Sequence, residues 1–396
     1  MGFYSGMTRS RILRASLCAL APLVVVFSSA AQAPHKGNYL FYIGTYTENG
    51  SKSKGIYAYR YDAATQEITP MGLAAETVNP SWVALHPNGR FLYAVNEVQN
   101  YNGPNSGGVS AFAIDRATGK LTFLNEVSSR GADPCYVTVD KAGKFVLVAN
   151  YSGGSVAAFP ISDDGKLGES SAFVQHAGHG PNAKRQEAAH AHSIDLSPDN
   201  RLAFVDDLGL DELLVYKFDA AKGTLVPHDP PFAKLDGGAG PRHFALHPSA
   251  KFAYVVSEMH STVTAFAADL KTGGFHRLQT VSALPKDFKG ENDDAEIEIH
   301  PSGKFLYASN RGHDSIAVFA IDPSKGTLTL IEHASTQGKT PRSFRIDPTG
   351  KLLFAANEGS SNVVIFRIDD KSGKLTPTGK VLEVGQPVCV KFLALD

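Results

Sequence analysis

From Pro80 to Glu97 the chain reads Pro-Ser-Trp-Val-Ala-Leu-His-Pro-Asn-Gly-Arg-Phe-Leu-Tyr-Ala-Val-Asn-Glu, two apolar runs joined by a turn. The same phrase returns at 134–151, 192–208, 241–258, 295–311 and 341–358, six copies in all, spaced by about 50 residues. Runs such as Phe91-Leu92-Tyr93-Ala94-Val95 and Phe305-Leu306-Tyr307-Ala308-Ser309 are aromatic-rich and β-prone. Asn-Gly, Ser-Gly or Thr-Gly before a basic residue supplies a hairpin turn between them. A second hairpin follows in most copies, where Val109 to Ile114 and Ile316 to Ile321 each lead to Asp and then to Thr-Gly-Lys-Leu or Lys-Gly-Thr-Leu. Four strands per copy make a propeller blade.

A seventh unit is split between the ends. Pro387 to Phe392 resembles the first strand of the phrase with no second strand after it, and Leu40 to Thr45 resembles the second with no first before it. Pairing them closes the ring and removes two exposed sheet edges. The sequence thus predicts an all-β, seven-bladed β-propeller over 39–396, with no interdomain linker.

The balance of 38 basic against 39 acidic residues creates no global field for nucleic acid or an anionic membrane, so charge selectivity must be local. Residues 1–31 stand outside the repeat: Arg9, Arg11 and Arg14 precede the apolar run Ala15 to Phe27, and small residues Ser28 to Ala31 follow. This is the layout of a secretory signal peptide cleaved after Ala31 or Ala33, which places the mature protein in the periplasm or outside the cell; without such a signal it would be cytoplasmic. Cys18 leaves with that segment. Cys135 and Cys389 lie in first strands of blades that are not neighbours, a poor geometry for a disulfide, and read as buried small hydrophobes.

Antiparallel hairpins bring the start of each first strand and the end of each second strand to one face, so these positions form a rim around the channel. After the second strands stand Tyr46, Glu97, Tyr151, Leu208, Glu258, Arg311 and Glu358. Near the first-strand starts stand Ser81, Cys135, His192, Arg242, Glu296, Arg342 and Val388. The long connections Gln175 to Ala189, Glu97 to Gly108 and Thr280 to Ala295 emerge on the same face, where a rigid scaffold carries its sites. Arg242, Glu258, Glu296 and Arg311 fall in one sector, either as a binding site for an anion or as an ion-pair belt between blades. A rim position also implies that replacing them would hardly change folding.

His190 and His192, two apart, share one face of a strand and suit acid/base work. No third ligand at a fixed offset completes a metal set, so no metal or other cofactor is expected. His86, His247 and His300 occupy the turn of the phrase, and Arg90, Lys144, Lys304 and Lys351 its solvated flank. Serine-elbow, phosphate-loop and dinucleotide motifs do not occur in a suitable setting.

Four stretches resemble one family: Tyr42-Ile43-Gly44-Thr45-Tyr46; His190-Ala191-His192-Ser193 followed by Asp207 to Asp211; Gly240-Pro241-Arg242-His243; and Ser309 to Ile316. From Tyr39 onward the chain is similar to the seven-bladed-propeller lactonases, which include bacterial 6-phosphogluconolactonase and the fungal carboxy-cis,cis-muconate cyclase. The resemblance implies a metal-independent site built from a histidine, two arginines and a glutamate, which fall on His192 or His190, Arg242, Glu258 and Arg311. Arg185, His243, Glu296, Tyr46, Glu97 and Arg342 are the further substrate-binding candidates. The family often has proline where this chain has Ala189, which leaves open which histidine faces the channel. The implied activity is hydrolysis of a sugar lactone, 6-phospho-D-glucono-1,5-lactone or a related one, by a monomer acting on a small molecule. The alternatives are a lactone-forming cyclase of an unsaturated dicarboxylate and an exported propeller that only binds.

Overall fold

The computed structural model describes residues 1–4, 6, 37–48 and 50–395. The expected signal peptide at 1–31 therefore lies, but for 1–4 and 6, outside the described residues.

Among the described residues 28 strands form seven four-stranded sheets. Numbered by their inner strands, blades 1 to 7 begin with Val83–Leu85, Pro134–Val139, Ala191–Leu196, Pro241–Leu246, Asp293–Ile299, Pro341–Ile346 and Pro387–Ala394. Each inner strand touches the next, and blade 7 touches blade 1, so the ring is closed. The closing blade pairs Asn38–Thr45 with Pro387–Ala394 antiparallel, Tyr39 opposite Ala394 and Thr45 opposite Pro387, as expected from the split repeat.

Second strands such as Phe145–Asn150 and Leu352–Asn357 are buried along their whole length. Neighbouring blades cover both of their faces, and this is why they read as unbroken apolar runs and not as alternating ones. Outer strands, with one neighbour only, carry the polar residues; in Leu328–Ser335 only Leu328 is fully buried. The core is accordingly a series of layers between blades. Phe204 of blade 3 meets Phe244 of blade 4 with ring centroids 5.0 Å apart, and Phe41 of blade 7 meets Phe354 of blade 6 at 5.4 Å. Each such ring contributes roughly 1.5–3 kcal/mol by leaving water.

The turn histidines latch the blades. The backbone N–H of Asn88, Ser249 and Ser302 donates to Nδ1 of His86, His247 and His300, each at 3.1 Å. The proton therefore sits on Nε2, which donates to the carbonyl of Gly143, Gly303 or Gly350 in the next blade at 2.8, 2.9 and 2.8 Å. Tyr93, Tyr254 and Tyr307 add hydroxyl bonds to Gly165, Gly326 and Gly373 of the following blade. Cys135 and Cys389 are buried free thiols.

Candidate active site

The inner strands do not run straight into the rim. In blades 2, 3, 4 and 6 the pairing to the second strand skips one residue, which is Cys135, His192, Arg242 or Arg342; in blade 7 it skips Val388. Such a bulge re-aims a side chain that regular alternation would have turned away. It lets consecutive residues, Arg242 and His243, meet within the channel. The strands of blades 2, 4, 6 and 7 open with Pro134, Pro241, Pro341 and Pro387, which have no N–H to lose from the ladder. The residues before them, Asp133, Gly240, Thr340 and Gln386, all have positive φ, a conformation that only Gly240 adopts freely.

Glu258 is the hub. Its Oε2 lies 3.1 Å from Arg242 Nε and 2.7 Å from Arg311 Nη2, while Arg185 Nη2 donates to Oε1. The three guanidinium groups come from the inner strand of blade 4, the second strand of blade 5 and the connection between blades 2 and 3. Burial alone would raise the carboxyl, yet Arg311, Arg242 and Arg185 outweigh it and hold its pKa down at about 2. Arg242 is wholly buried, and that burial, with Arg311 and Arg342 close by, pushes its pKa down to about 10 against the pull of Glu258 and Glu296. Its Nη1 donates to the Ala295 carbonyl at 2.7 Å. Arg311 is pinned by the carbonyls of Asp293 at 3.3 Å and Asp294 at 3.2 Å. Among the described residues, Arg242 Nη2 and Arg311 Nη1 have no protein partner. The cluster does bridge blades 4 and 5, but it keeps donors in reserve for an anion or a developing oxyanion.

The two histidines differ. His190 stacks on Tyr151, with Nδ1 donating to the Tyr151 carbonyl at 3.0 Å and Nε2 lying 3.3 Å from Glu187 Oε1. His192 is buried edge-on between Tyr151 and His243, and its Nδ1 lies 3.7 Å from Cys135 Sγ. Its Nε2 has no protein partner among the described residues. Burial, then Arg242, His243, Arg342 and Arg311, push the pKa of His192 well below the usual histidine range, so the ring is neutral at pH 7.

On the far side of the mouth the Tyr46 hydroxyl donates to Glu97 at 3.0 and 3.1 Å. Arg342 lies 4.0 Å from the Glu97 carboxylate and 5.2 Å over the Tyr46 ring. Glu296 does not belong to this level. Counted back from the turn residue of its blade, Glu296 stands to His300 as His243 stands to His247, and Ala295 is the true counterpart of Arg242. The pairing irregularity of blade 5 spans both Ala295 and Glu296, which hides the slip in the sequence. Glu296 instead accepts from His243 Nδ1 at 3.0 Å and from Ser343 Oγ at 3.3 Å, deeper in the channel, where His243 and Glu296 line a cavity at the other mouth. His243 Nε2 then accepts from Arg242 Nη1 at 3.2 Å, and burial pushes the imidazole pKa down to about 4. His243 and Glu296 therefore support Arg242 from beneath.

Residues 40–392 match the family model described as Lactonase, 7-bladed beta-propeller. The chain belongs to this lactonase family. It is 40% identical to the 6-phosphogluconolactonase of Bacillus subtilis over 90% of this chain and 98% of that one, and 36% identical to the 6-phosphogluconolactonase of Formosa agariphila over 77% and 85%. It also superposes on the structure of a periplasmic gluconolactonase from Pseudomonas aeruginosa with a TM-score of 0.83 at 33% identity, covering 91% of this chain and 100% of that one.

Within this lactonase chain the histidine segment depends on Gly209. A Cβ there would stand 1.9 Å from the Ala188 carbonyl oxygen and 2.9 Å from the His190 nitrogen, both backbone atoms that cannot turn aside. Gly209→Ala is expected to displace the strand start carrying His190 and His192 and to destabilise the fold by roughly 1–3 kcal/mol. Thermal unfolding measured beside turnover checks this, and unchanged stability would show that the segment yields freely.

Proposed function

We propose that the protein hydrolyses a sugar lactone at the arginine-lined mouth, with 6-phospho-D-glucono-1,5-lactone or a related 1,5-lactone as substrate. The observation that carries this reading is the pairing of reserve donors on Arg242 and Arg311 with a neutral His192 whose Nε2 is free. His192 takes a proton from water as the water oxygen bonds to the lactone carbonyl carbon. The carbonyl electron pair moves to its oxygen, which Arg242 and Arg311 stabilise. Collapse breaks the bond to the ring oxygen, which takes the proton back from His192, and the new carboxyl ionises beside the arginines. Glu258, ionised down to about pH 2 and fully engaged, is a poor base and acts by aligning the three guanidinium groups.

We further propose that residues 1–31 direct export and that the mature chain works as a monomer. The charge and apolar layout of the N-terminus supports export, and an exported enzyme meets unphosphorylated lactones more readily than intermediates of central metabolism. The test is to assay purified protein against glucono-1,5-lactone, its 6-phosphate and an unsaturated dicarboxylate, with intact mass measured on the periplasmic and cytoplasmic fractions. Lactone hydrolysis above the spontaneous rate is the expected result. Lactone formation from the dicarboxylate alone, or binding without turnover, would overturn it.

A further inference from the structure

A cavity of about 1060 Å³ opens on the Tyr46 and Glu97 side of the mouth, across from the Glu258 cluster. It shares Tyr46, Glu97 and Glu358 with the rim and runs outward along blade 1, past the loop residue Tyr101, to Phe112, Phe123 and Glu126 on the third and outer strands. That volume is at the top of the range for sites that hold drug-sized molecules and far exceeds one sugar ring.

The chemistry of its wall differs from that of the mouth. Among the described residues six carboxylates line it, Glu48, Glu76, Glu97, Glu126, Asp133 and Glu358, and no lysine, arginine or histidine does. Glu76 and Glu358 accept no side-chain hydrogen bond among the described residues, so both are free to accept from hydroxyls. Phe112 and Phe123 share the wall with them. Phe123, 58% exposed, lies edge-on to Phe112 at 5.9 Å and presents its ring to the cavity. Aromatic faces flanked by acceptors fit the C–H face and hydroxyl edge of a pyranose. A phosphate held here would face carboxylates on every side.

We infer that this cavity is the subsite for a second sugar ring, so that the preferred substrate is an aldono-1,5-lactone bearing a neutral glycosyl substituent. This rests on the lactonase reading for the position of the lactone ring and adds the identity of what is attached to it. The lactone ring sits at Arg242 and His192, and the glycosyl group extends past Tyr46 and Glu97 towards Phe123.

Two measurements separate this proposal from the lactonase reading. Calorimetric titration of the product acids, which needs no turnover, is expected to show cellobionate binding at least about tenfold tighter than gluconate, the scale of one aromatic contact and one hydrogen bond. Phe123→Ala and Tyr101→Ala should abolish that difference while leaving gluconate binding unchanged; Phe123 is exposed, so its loss leaves the fold intact. Equal affinity for the two acids, or a difference that survives both substitutions, would sink the subsite even if glucono-1,5-lactone is hydrolysed well. Absence of turnover on every lactone, with cellobionate still preferred, would instead sink the lactonase reading and leave the subsite standing.

Discussion

Glu258→Gln is expected to lower kcat/KM by about 10²-fold or more and to cost about 3 kcal/mol of folding stability at neutral pH. Rim placement suggested that folding would hardly notice, but Glu258 is 5% exposed and Arg242 2% exposed, so the variant leaves a buried guanidinium without its carboxylate. The same change removes the carboxylate that Arg185 and Arg311 share with Arg242. The wild-type protein carries a matching acid sensitivity. Because the folded pKa of Glu258 is depressed from 4.5 to about 2, its contribution is complete above 4.5 and is lost as pH falls towards 2. That shift amounts to about 3 kcal/mol. Urea unfolding at neutral pH and near pH 3 should therefore show the gap between wild type and variant narrowing in acid. A variant that unfolds early yet keeps wild-type turnover would identify the cluster as an interblade belt and nothing more.

The fold was legible because each blade repeats one physical problem. A strand covered on both faces must be apolar throughout, and its hairpin needs one residue at positive φ, supplied by Gly89, Gly143, Gly303 and Gly350 in four copies and by Asn200 and Ala250 in the other two. Ring closure followed from the two half-repeats at Leu40 and Pro387. The site was only partly legible. Arg242, Glu258 and Arg311 sit at strand ends, where symmetry makes position predictable, and they meet. Arg185 lies on a connection with no repeat to fix its path, so its bond to Glu258 could not be read. Glu296 was placed one level too high because a bulge adds residues without leaving any mark in composition. The nearest signal was the proline opening four of the seven inner strands, which sits immediately before each skipped residue. The turn histidines do lie in the hairpin turns, but their bonds to the next blade depend on how blades pack and not on the local turn.

His192→Ala is expected to lower kcat by roughly 10² to 10⁴-fold, the range for losing a positioned base, while His190→Ala costs far less. The difference lies in the second ring nitrogen. His190 has both nitrogens engaged, with the Tyr151 carbonyl and Glu187, whereas His192 keeps Nε2 for the attacking water. The pH profile carries the same distinction. Burial and four neighbouring cationic or imidazole groups keep the pKa of His192 well below 6.5, so the base form persists as the solution is acidified. After subtraction of spontaneous lactone hydrolysis, kcat/KM should stay level from pH 8 through 6.5 and fall only well below it. In Arg242→Met one of the repelling charges is gone, so the acid limb should move upward towards the ordinary histidine range, in addition to the loss of rate. An acid limb that stays near 6.5 in wild type, or one that does not move when Arg242 is replaced, would take the proton transfer away from His192.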